Sequence, residues 1–100
     1  MEELVKKLYT ELYLSVDEIA RITKLTHHRV YSMLWHLDII RSPAESRTIR
    51  KQLRQFSKEQ KAEYVRKARE LGITYKIIAQ VLGIDPKGVK RLEACISNNA

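Results

Sequence analysis

Apolar residues recur every three or four positions along most of the chain, which is the spacing of one face of an α-helix. In the first turns this spacing brings Val5, Leu8 and Leu12 together and predicts a helix from Glu2 to Leu12. Alternation of the β type is rare, and the 100 residues include only 3 Gly and 2 Pro. We therefore expect an all-α fold.

Two more helices are predicted in the first half of the chain, each after a residue that favours a helix N-terminus. Ser15 precedes a short helix that ends near Thr23, and Thr26 precedes a second helix that ends near Asp38. A break of three or four residues between two such helices is the spacing of a helix-turn-helix unit. The residues predicted to face inward are Ile19, Ala20 and Ile22 on the short helix, and Val30, Met33, Leu34 and Leu37 on the longer one.

The same pattern returns 59 residues later in the chain. The segment "SVDEIARITKLTHHRVYSML" then lies over "TYKIIAQVLGIDPKGVKRLE", and the N-cap residues Ser15 and Thr26 fall on Thr74 and Asp85, which are also favoured N-caps. The matched caps and core classes predict that the second half repeats the first. The identical pairs are Ile19 with Ile78, Ala20 with Ala79, and Val30 with Val89.

The second half is accordingly predicted to hold three helices of its own. Gly83 stands at the turn before the last helix, where a left-handed residue is needed, whereas the first half has Lys24 at that place. Pro86 suits the first position of the last helix, because a missing N–H costs nothing there. The predicted helices follow Ser57 up to Leu71, Thr74 up to Leu82, and Asp85 to the end of the module, with Val65, Ala68, Leu71, Val89, Leu92 and Ile96 inward.

The positive charge is densest between the two halves. The chain carries a formal net charge of +7 and has a pI of about 9.7. Residues 1–40 carry −1, residues 41–55 carry +4 from five Lys or Arg and one Glu, and residues 56–100 carry +4. A chain with this balance favours a polyanionic partner, most often nucleic acid.

The basic linker itself has two possible conformations. Ser42, Pro43 and Glu45 form a helix start with a capping box, which predicts a helix from Pro43 to about Gln55. The alternative is a winged hairpin that pairs residues 39–42 with residues 47–49. The helix is our first prediction, because Ile49, Leu53 and Phe56 would then share one apolar face.

The segments "EIARITKLTHHRVYSML" and "IIAQVLGIDPKGVKRL" both resemble the homeodomain-like, trihelical helix-turn-helix module. The resemblance implies two such modules, residues 1–41 and 57–97, joined by the basic linker 42–56. Two repeats with a basic linker are similar to the crenarchaeal proteins that bind CRISPR DNA repeats. The segment "IIRSPAESR" is similar to extensions behind helix-turn-helix units in transposases and homing endonucleases.

A helix-turn-helix module reads base edges with the start of its last helix and contacts phosphates around it. We therefore expect sequence-specific binding of double-stranded DNA, by a regulator of transcription or a DNA-repeat-binding protein. Gly88 fits either a close approach of the backbone to DNA or simple tolerance near a helix start. The candidate DNA-binding residues are His27, His28, Arg29, Tyr31, Ser32 and His36 on the first recognition helix; Arg47, Arg50, Lys51 and Arg54 in the linker; Lys76 near a helix cap; and Lys87, Gly88, Lys90 and Arg91 on the second recognition helix.

The residues indicate no catalytic centre, metal site or cofactor, so we do not expect an enzyme. His28 and His36 share a helix face but lie eight residues apart, about 12 Å along the axis, and cannot hold one ion between them. The single cysteine, Cys95, stands beside Ile96 and is predicted to be a buried structural thiol. Trp35 is predicted to be partly buried.

No apolar run approaches the ~20 residues that span a membrane, and the N-terminus does not resemble a signal peptide. We expect a monomer in the cytoplasm, associated with the nucleoid, with no membrane or small-molecule partner. Two alternatives stay open: the DNA-binding part of a transposase, recombinase or homing endonuclease, and a protein-interaction adaptor. Structured RNA is disfavoured, because A-form grooves exclude a recognition helix.

Overall fold

A computed structural model describes the backbone of residues 1–98 and the side chains of residues 1–94. Every regular element in that range is a helix, and no strand occurs among the described residues, so the predicted all-α class is confirmed. The seven helices are α1 (Glu2–Thr10), α2 (Val16–Thr23), α3 (His27–His36), α4 (Pro43–Arg54), α5 (Lys58–Glu70), α6 (Tyr75–Leu82) and α7 (Pro86–Asn98).

The chain divides into two compact units, and the division falls inside α4. The first unit is Met1–Ile49, and the second unit begins at Arg50. In the first unit α1 packs against α2 and α3, and α2 packs against α3. In the second unit α5 and α6 pack against each other and both pack against α7.

The linker residues are helical, so the predicted helix is confirmed and the alternative hairpin is wrong. The hydroxyl of Ser42 accepts a hydrogen bond from the N–H of Glu45 at 3.2 Å, and Pro43 takes the first helical position. Local capping chemistry therefore decides the conformation. Of the predicted apolar face, Leu53 is buried, while Ile49 and Phe56 are half-buried.

Two buried residues of the core each stand directly before a helix cap. Leu14 precedes the α2 cap and Ile73 precedes the α6 cap, and both are fully buried. In a hydrophobic staple, the residue before the N-cap packs against the fourth residue of the helix. Here the fourth residues are Ile19 in α2 and Ile78 in α6, and both are fully buried as well. The two pairs stand 59 residues apart, which is the offset of the sequence repeat.

The backbone takes left-handed conformations at the same offset. Tyr13 has a φ of 56° and Gly72 a φ of 79° in the loops before α2 and α6. Lys24 has a φ of 63° and Gly83 a φ of 68° at the C-termini of those helices. The first unit thus adopts, with a tyrosine and a lysine, two turns for which the second unit uses glycine. Each non-glycine left-handed residue costs roughly 1–2 kcal/mol.

Replacing Lys24 by glycine is expected to raise the free energy of unfolding by about 0.5–1 kcal/mol. The change relieves the left-handed strain, and the gain is reduced by the greater freedom of glycine in the unfolded chain. Urea denaturation followed by circular dichroism measures the difference. Lys24→Ala is the matched control, because it removes the same side chain but keeps the strain. Equal stability of the two variants would contradict the claim that a non-glycine residue is strained at this turn.

Four helices, α1, α3, α4 and α5, end earlier than predicted, by one or two residues. The best-defined case is α3, which ends at His36 because Asp38 takes a left-handed conformation with a φ of 57°. The N–H of Ile39 then bonds to the carbonyl of Leu34 at 3.2 Å, in the pattern of a Schellman cap. The predictions for the side chains of Cys95 and Ile96 lie outside the described residues.

Candidate nucleic-acid interface

The outer face of α3 carries the candidate residues of the first unit. The hydroxyl of Thr26 accepts the N–H of Arg29 at 3.1 Å, so the helix begins where the sequence predicted. His27, His28, Arg29 and His36 are exposed. The polar and cationic side chains of this short helix therefore point to solvent, opposite the buried Val30 and Leu34, while Ser32 is half-buried.

His27 differs from its neighbours because it lies beside an acidic side chain. Its Nε2 atom is 3.4 Å from a carboxylate oxygen of Asp17 on α2, and both side chains are largely exposed. A carboxylate at this place repels a DNA phosphate. His28 and Arg29 form no such ion pair within the described part of the chain, so they are the stronger reading candidates on this helix.

Aromatic side chains are exposed on the same helix, and here one prediction is wrong. Trp35 was predicted to be partly buried, yet 65% of it is exposed to solvent. Tyr31 stands one turn earlier and is 42% exposed. The reason is helical geometry, since the core side of α3 is filled by Val30 and Leu34 and Trp35 falls about 100° further round.

The outer face of α7 carries the candidates of the second unit. Lys87, Lys90 and Arg91 are exposed and Gly88 is half-buried. The carbonyl of Asp85 accepts the N–H of Gly88 at 2.8 Å, and Pro86 begins the helix as predicted. Lys90 reaches back toward α6, where its Nζ lies 5.4 Å from the ring centre of Tyr75. On α6 itself, Lys76 is exposed.

Replacing Gly88 by alanine is expected to stabilise the protein by about 0.5 kcal/mol, because alanine is the better helix former. The side-chain atoms nearest to the new Cβ would be those of Ile84, at the ordinary contact distance of 3.6 Å. If the backbone here approaches DNA closely, the affinity for duplex DNA falls while the stability rises. Urea denaturation and fluorescence anisotropy measure the two effects. The exposed Ala94, changed to glycine, is the control and should lower stability. Destabilisation by Gly88→Ala would contradict an ordinary contact between the new Cβ and Ile84.

The basic residues of α4 differ in their surroundings. Arg47, Lys51 and Arg54 are exposed, whereas Arg50 is half-buried. Within the second unit, the Arg54 side chain packs on the turn before α7, with its Cγ atom 3.0 Å from the place a Cβ of Gly83 would take. Glycine therefore suits this turn for two reasons: it adopts the left-handed conformation without strain, and it leaves room for the Arg54 side chain.

Arg41 is a structural residue that the sequence analysis did not single out. Its guanidinium donates hydrogen bonds to the carbonyls of Tyr9 at 2.8 Å and Leu14 at 3.1 Å. It also lies 3.8 Å from the ring centre of Tyr9, whose hydroxyl accepts the Arg41 backbone N–H at 2.8 Å. The buried Nε finds no acceptor within the described part of the chain. Arg41 thus ties the segment after α3 to the end of α1 and to the loop that follows it.

A corresponding arginine serves the second unit. Arg69 donates to the carbonyl of Ile73 at 2.7 Å and to the Glu93 carboxylate at 2.9 Å. The Tyr75 hydroxyl donates to the same carboxylate at 2.5 Å, and this bond and the Arg69 charge lower the pKa of Glu93. The bond to Glu93 raises the pKa of Tyr75. In both units, therefore, an arginine binds the carbonyl just before a helix cap, although it comes from a different element in each.

The described residues form neither a cluster of metal ligands nor a helix that could span a membrane. No group of three or more His, Cys, Asp or Glu side chains is arranged to hold a metal ion among the residues with a described position. None of the described helices is both long enough and apolar enough to cross a membrane. Comparisons with protein-family models, with curated proteins and with solved structures find no match to this chain.

Proposed function

We propose that this protein is a tandem helix-turn-helix protein that binds double-stranded DNA at specific sequences and has no catalytic activity. One observation carries the proposal. Each unit has a short helix, a left-handed turn residue and a further helix with exposed hydrogen-bonding side chains, and the turn residues Lys24 and Gly83 stand 59 positions apart. This order of elements is the one with which a helix-turn-helix module presents its recognition helix to a major groove, and it supports the proposal.

The exposed side chains of α3 and α7 can form hydrogen bonds to bases, and they differ between the two helices. Arg29 and Arg91 can each give two hydrogen bonds to one guanine. The positions around them differ, since His28 of α3 corresponds to Lys87 of α7, and Ser32 corresponds to Arg91. The two units therefore read different bases, and one chain recognises an asymmetric, two-part site without forming a symmetric dimer.

The basic side chains of α4 suit the backbone of the same DNA. Arg47, Lys51 and Arg54 are exposed cations in the segment between the two reading helices. Phosphate contacts position a protein on a duplex without reading its sequence. A protein that occupies such a site serves as a regulator of transcription or as a DNA-repeat-binding protein, as the resemblance to the crenarchaeal proteins suggests.

Fluorescence anisotropy with a labelled duplex of mixed sequence, measured over a range of salt concentrations, tests the proposal. We expect the logarithm of the binding constant to fall linearly with the logarithm of the salt concentration, with a slope of about −4.5 to −5.4 if five or six phosphates are neutralised. An RNA duplex of the same length is the control and should bind more weakly. Absence of duplex DNA binding at about 0.05 M salt would overturn the proposal.

The exposed aromatic residues of α3 favour a second candidate, a protein-interaction role for the first unit. Trp35 and Tyr31 lie one turn apart, and aromatic side chains of this kind dominate protein interfaces. A protein partner would bury Trp35, the single tryptophan of the chain, and shift its fluorescence to shorter wavelength. Trp35→Ala would then abolish partner binding and leave the salt-dependent DNA affinity unchanged.

A further inference from the structure

A shallow groove runs beside the proposed reading helix of the second unit. It lies between the N-terminal half of α5 and the first turns of α7 and has a volume of about 410 Å³. The apolar part of its lining, here called its floor, is formed by Ile84, Gly88 and Leu92, and the rest of the lining is formed by the cationic residues Lys58, Lys61 and Arg91. An apolar floor between three cations, with no carboxylate in the lining, is therefore built next to the exposed face of α7.

Two of the three acidic side chains of α5 are paired with an arginine outside this groove, and the third, Glu59, does not line it. Glu63 and Glu70 are both bound by Arg66, with the Glu70 carboxylate 2.7 Å from the guanidinium. The charge and hydrogen bond of Arg66 lower the pKa of Glu63, so this carboxylate stays ionised and paired. None of these three residues lines the groove. The lysines Lys58 and Lys61 thus keep a free anion-attracting surface.

We infer that this groove seats the sugar–phosphate backbone of one DNA strand, with Lys58 and Lys61 contacting its phosphates while Arg91 reaches the bases. The inference rests on the proposed function and extends it to two residues that the sequence did not single out. A DNA strand combines apolar deoxyribose faces with regularly spaced phosphates, which matches an apolar floor flanked by cations.

The shared residues of the groove and the reading face support this choice of ligand. Gly88 and Arg91 line the groove and also belong to the candidate reading residues of α7. Because Gly88 has no side chain, the strand can come close to the helix at this point. Arg54 packs on Gly83, next to the floor residue Ile84, and adds a fourth cation near one end. A strand in the groove would therefore pass near Arg54, for which a phosphate contact is also proposed.

The salt dependence of duplex DNA binding tests the inference. Each phosphate contact adds about 0.9 to the magnitude of the salt slope. We expect Lys61→Gln to reduce the slope by about 0.9 and Lys58→Gln with Lys61→Gln to reduce it by about 1.8, which weakens binding roughly 10- to 30-fold at about 0.15 M salt. The matched control is Lys67→Gln, an exposed lysine of the same helix that does not line the groove. It should leave the slope unchanged.

Lysine acetylation with and without duplex DNA gives an independent readout of the same contacts. Mass spectrometry should show that DNA protects Lys58 and Lys61 from the reagent, as it protects Lys87, while Lys67 stays reactive. Thermal denaturation by circular dichroism verifies that each variant is folded. Protection of all four lysines to the same degree would overturn the inference, since it would indicate contact without a defined strand position.

The outcomes separate this inference from the proposed function. If Arg91→Gln weakens DNA binding but the Lys58 and Lys61 variants do not, the groove inference is overturned and the proposed function stands. If the unchanged protein does not bind duplex DNA, both are overturned. The groove also has the chemistry of a site for a small amphipathic anion. Saturable binding of dodecyl phosphate that leaves DNA binding unaffected would overturn the inference in favour of such a ligand.

Discussion

Replacing Arg41 by alanine is expected to lower the free energy of unfolding of the first unit by about 3 kcal/mol. The guanidinium is bound to the carbonyls of Tyr9 and Leu14 and stacks on the Tyr9 ring. Hydrogen bonds to a charged group contribute about 1.5–3 kcal/mol, and a partly buried cation–π contact about 1 kcal/mol, and such contributions are not fully additive. The change also removes the guanidinium donor from the carbonyl of Leu14, whose residue is fully buried.

Urea denaturation with amide hydrogen exchange on α1 and α3 measures this loss in the first unit. Arg41→Lys keeps the charge but cannot make both hydrogen bonds, so its effect should be intermediate. Arg47→Ala is the matched control, because Arg47 is exposed and a surface change of this kind stays within about 0.5 kcal/mol. An effect of Arg41→Ala as small as that of Arg47→Ala would show that the Arg41 contacts do not hold this unit together.

Replacing Arg29 or Arg91 by alanine is expected to weaken specific DNA binding about 10- to 100-fold, because a two-bond contact with guanine contributes about 1–3 kcal/mol of discrimination. The two changes should affect different parts of the bound sequence, since the residues lie on α3 of one unit and α7 of the other. Anisotropy with a panel of duplexes, each altered at one base pair, measures which positions lose their preference.

Arg66→Ala is the matched control for this pair of changes. Arg66 is an arginine of α5 that is bound to Glu63 and Glu70, so its removal should change DNA affinity by less than about twofold. Loss of preference at the same base pairs for Arg29→Ala and Arg91→Ala would contradict two separate readers. An effect of Arg66→Ala equal to theirs would point to net charge as the cause.

The helices and their starts could be predicted from the sequence because their causes are local. Ser15, Ser42 and Ser57 each accept a backbone N–H three residues on, which a reader of the sequence can anticipate from residue type alone. The left-handed turn at Gly83 follows from glycine in the same way. Its counterpart at Lys24 does not, because a lysine takes that conformation only when the surrounding helices impose it.

The features that sequence reasoning missed depend on contacts between distant parts of the chain. Arg41 meets a tyrosine 32 residues away, and no spacing rule predicts that pair. The exposure of Trp35 depends on how much of α3 its neighbours cover. Leu14 and Ile73 could have been found, since an apolar residue just before a helix cap is a recognisable staple signal.

The residues of the candidate site also include some that the sequence predicts and some that it does not. The exposed residues of α3 and α7 follow from the helical period, because residues opposite a buried stripe must face solvent. The groove beside α7 requires knowledge of how α5 packs on α7, so Lys58 and Lys61 looked like ordinary surface lysines in the sequence. A surface formed by two helices therefore cannot be predicted from the sequence pattern of either helix alone.

Selection of bound sequences from random double-stranded DNA, at about 0.15 M salt, tests the central claim most directly. If two different helix-turn-helix units read DNA in one chain, the selected sequences share an asymmetric motif of two parts. Arg29→Ala should then erase one part and Arg91→Ala the other. A pool that stays random after repeated rounds, or a single symmetric motif, would contradict tandem reading by this protein.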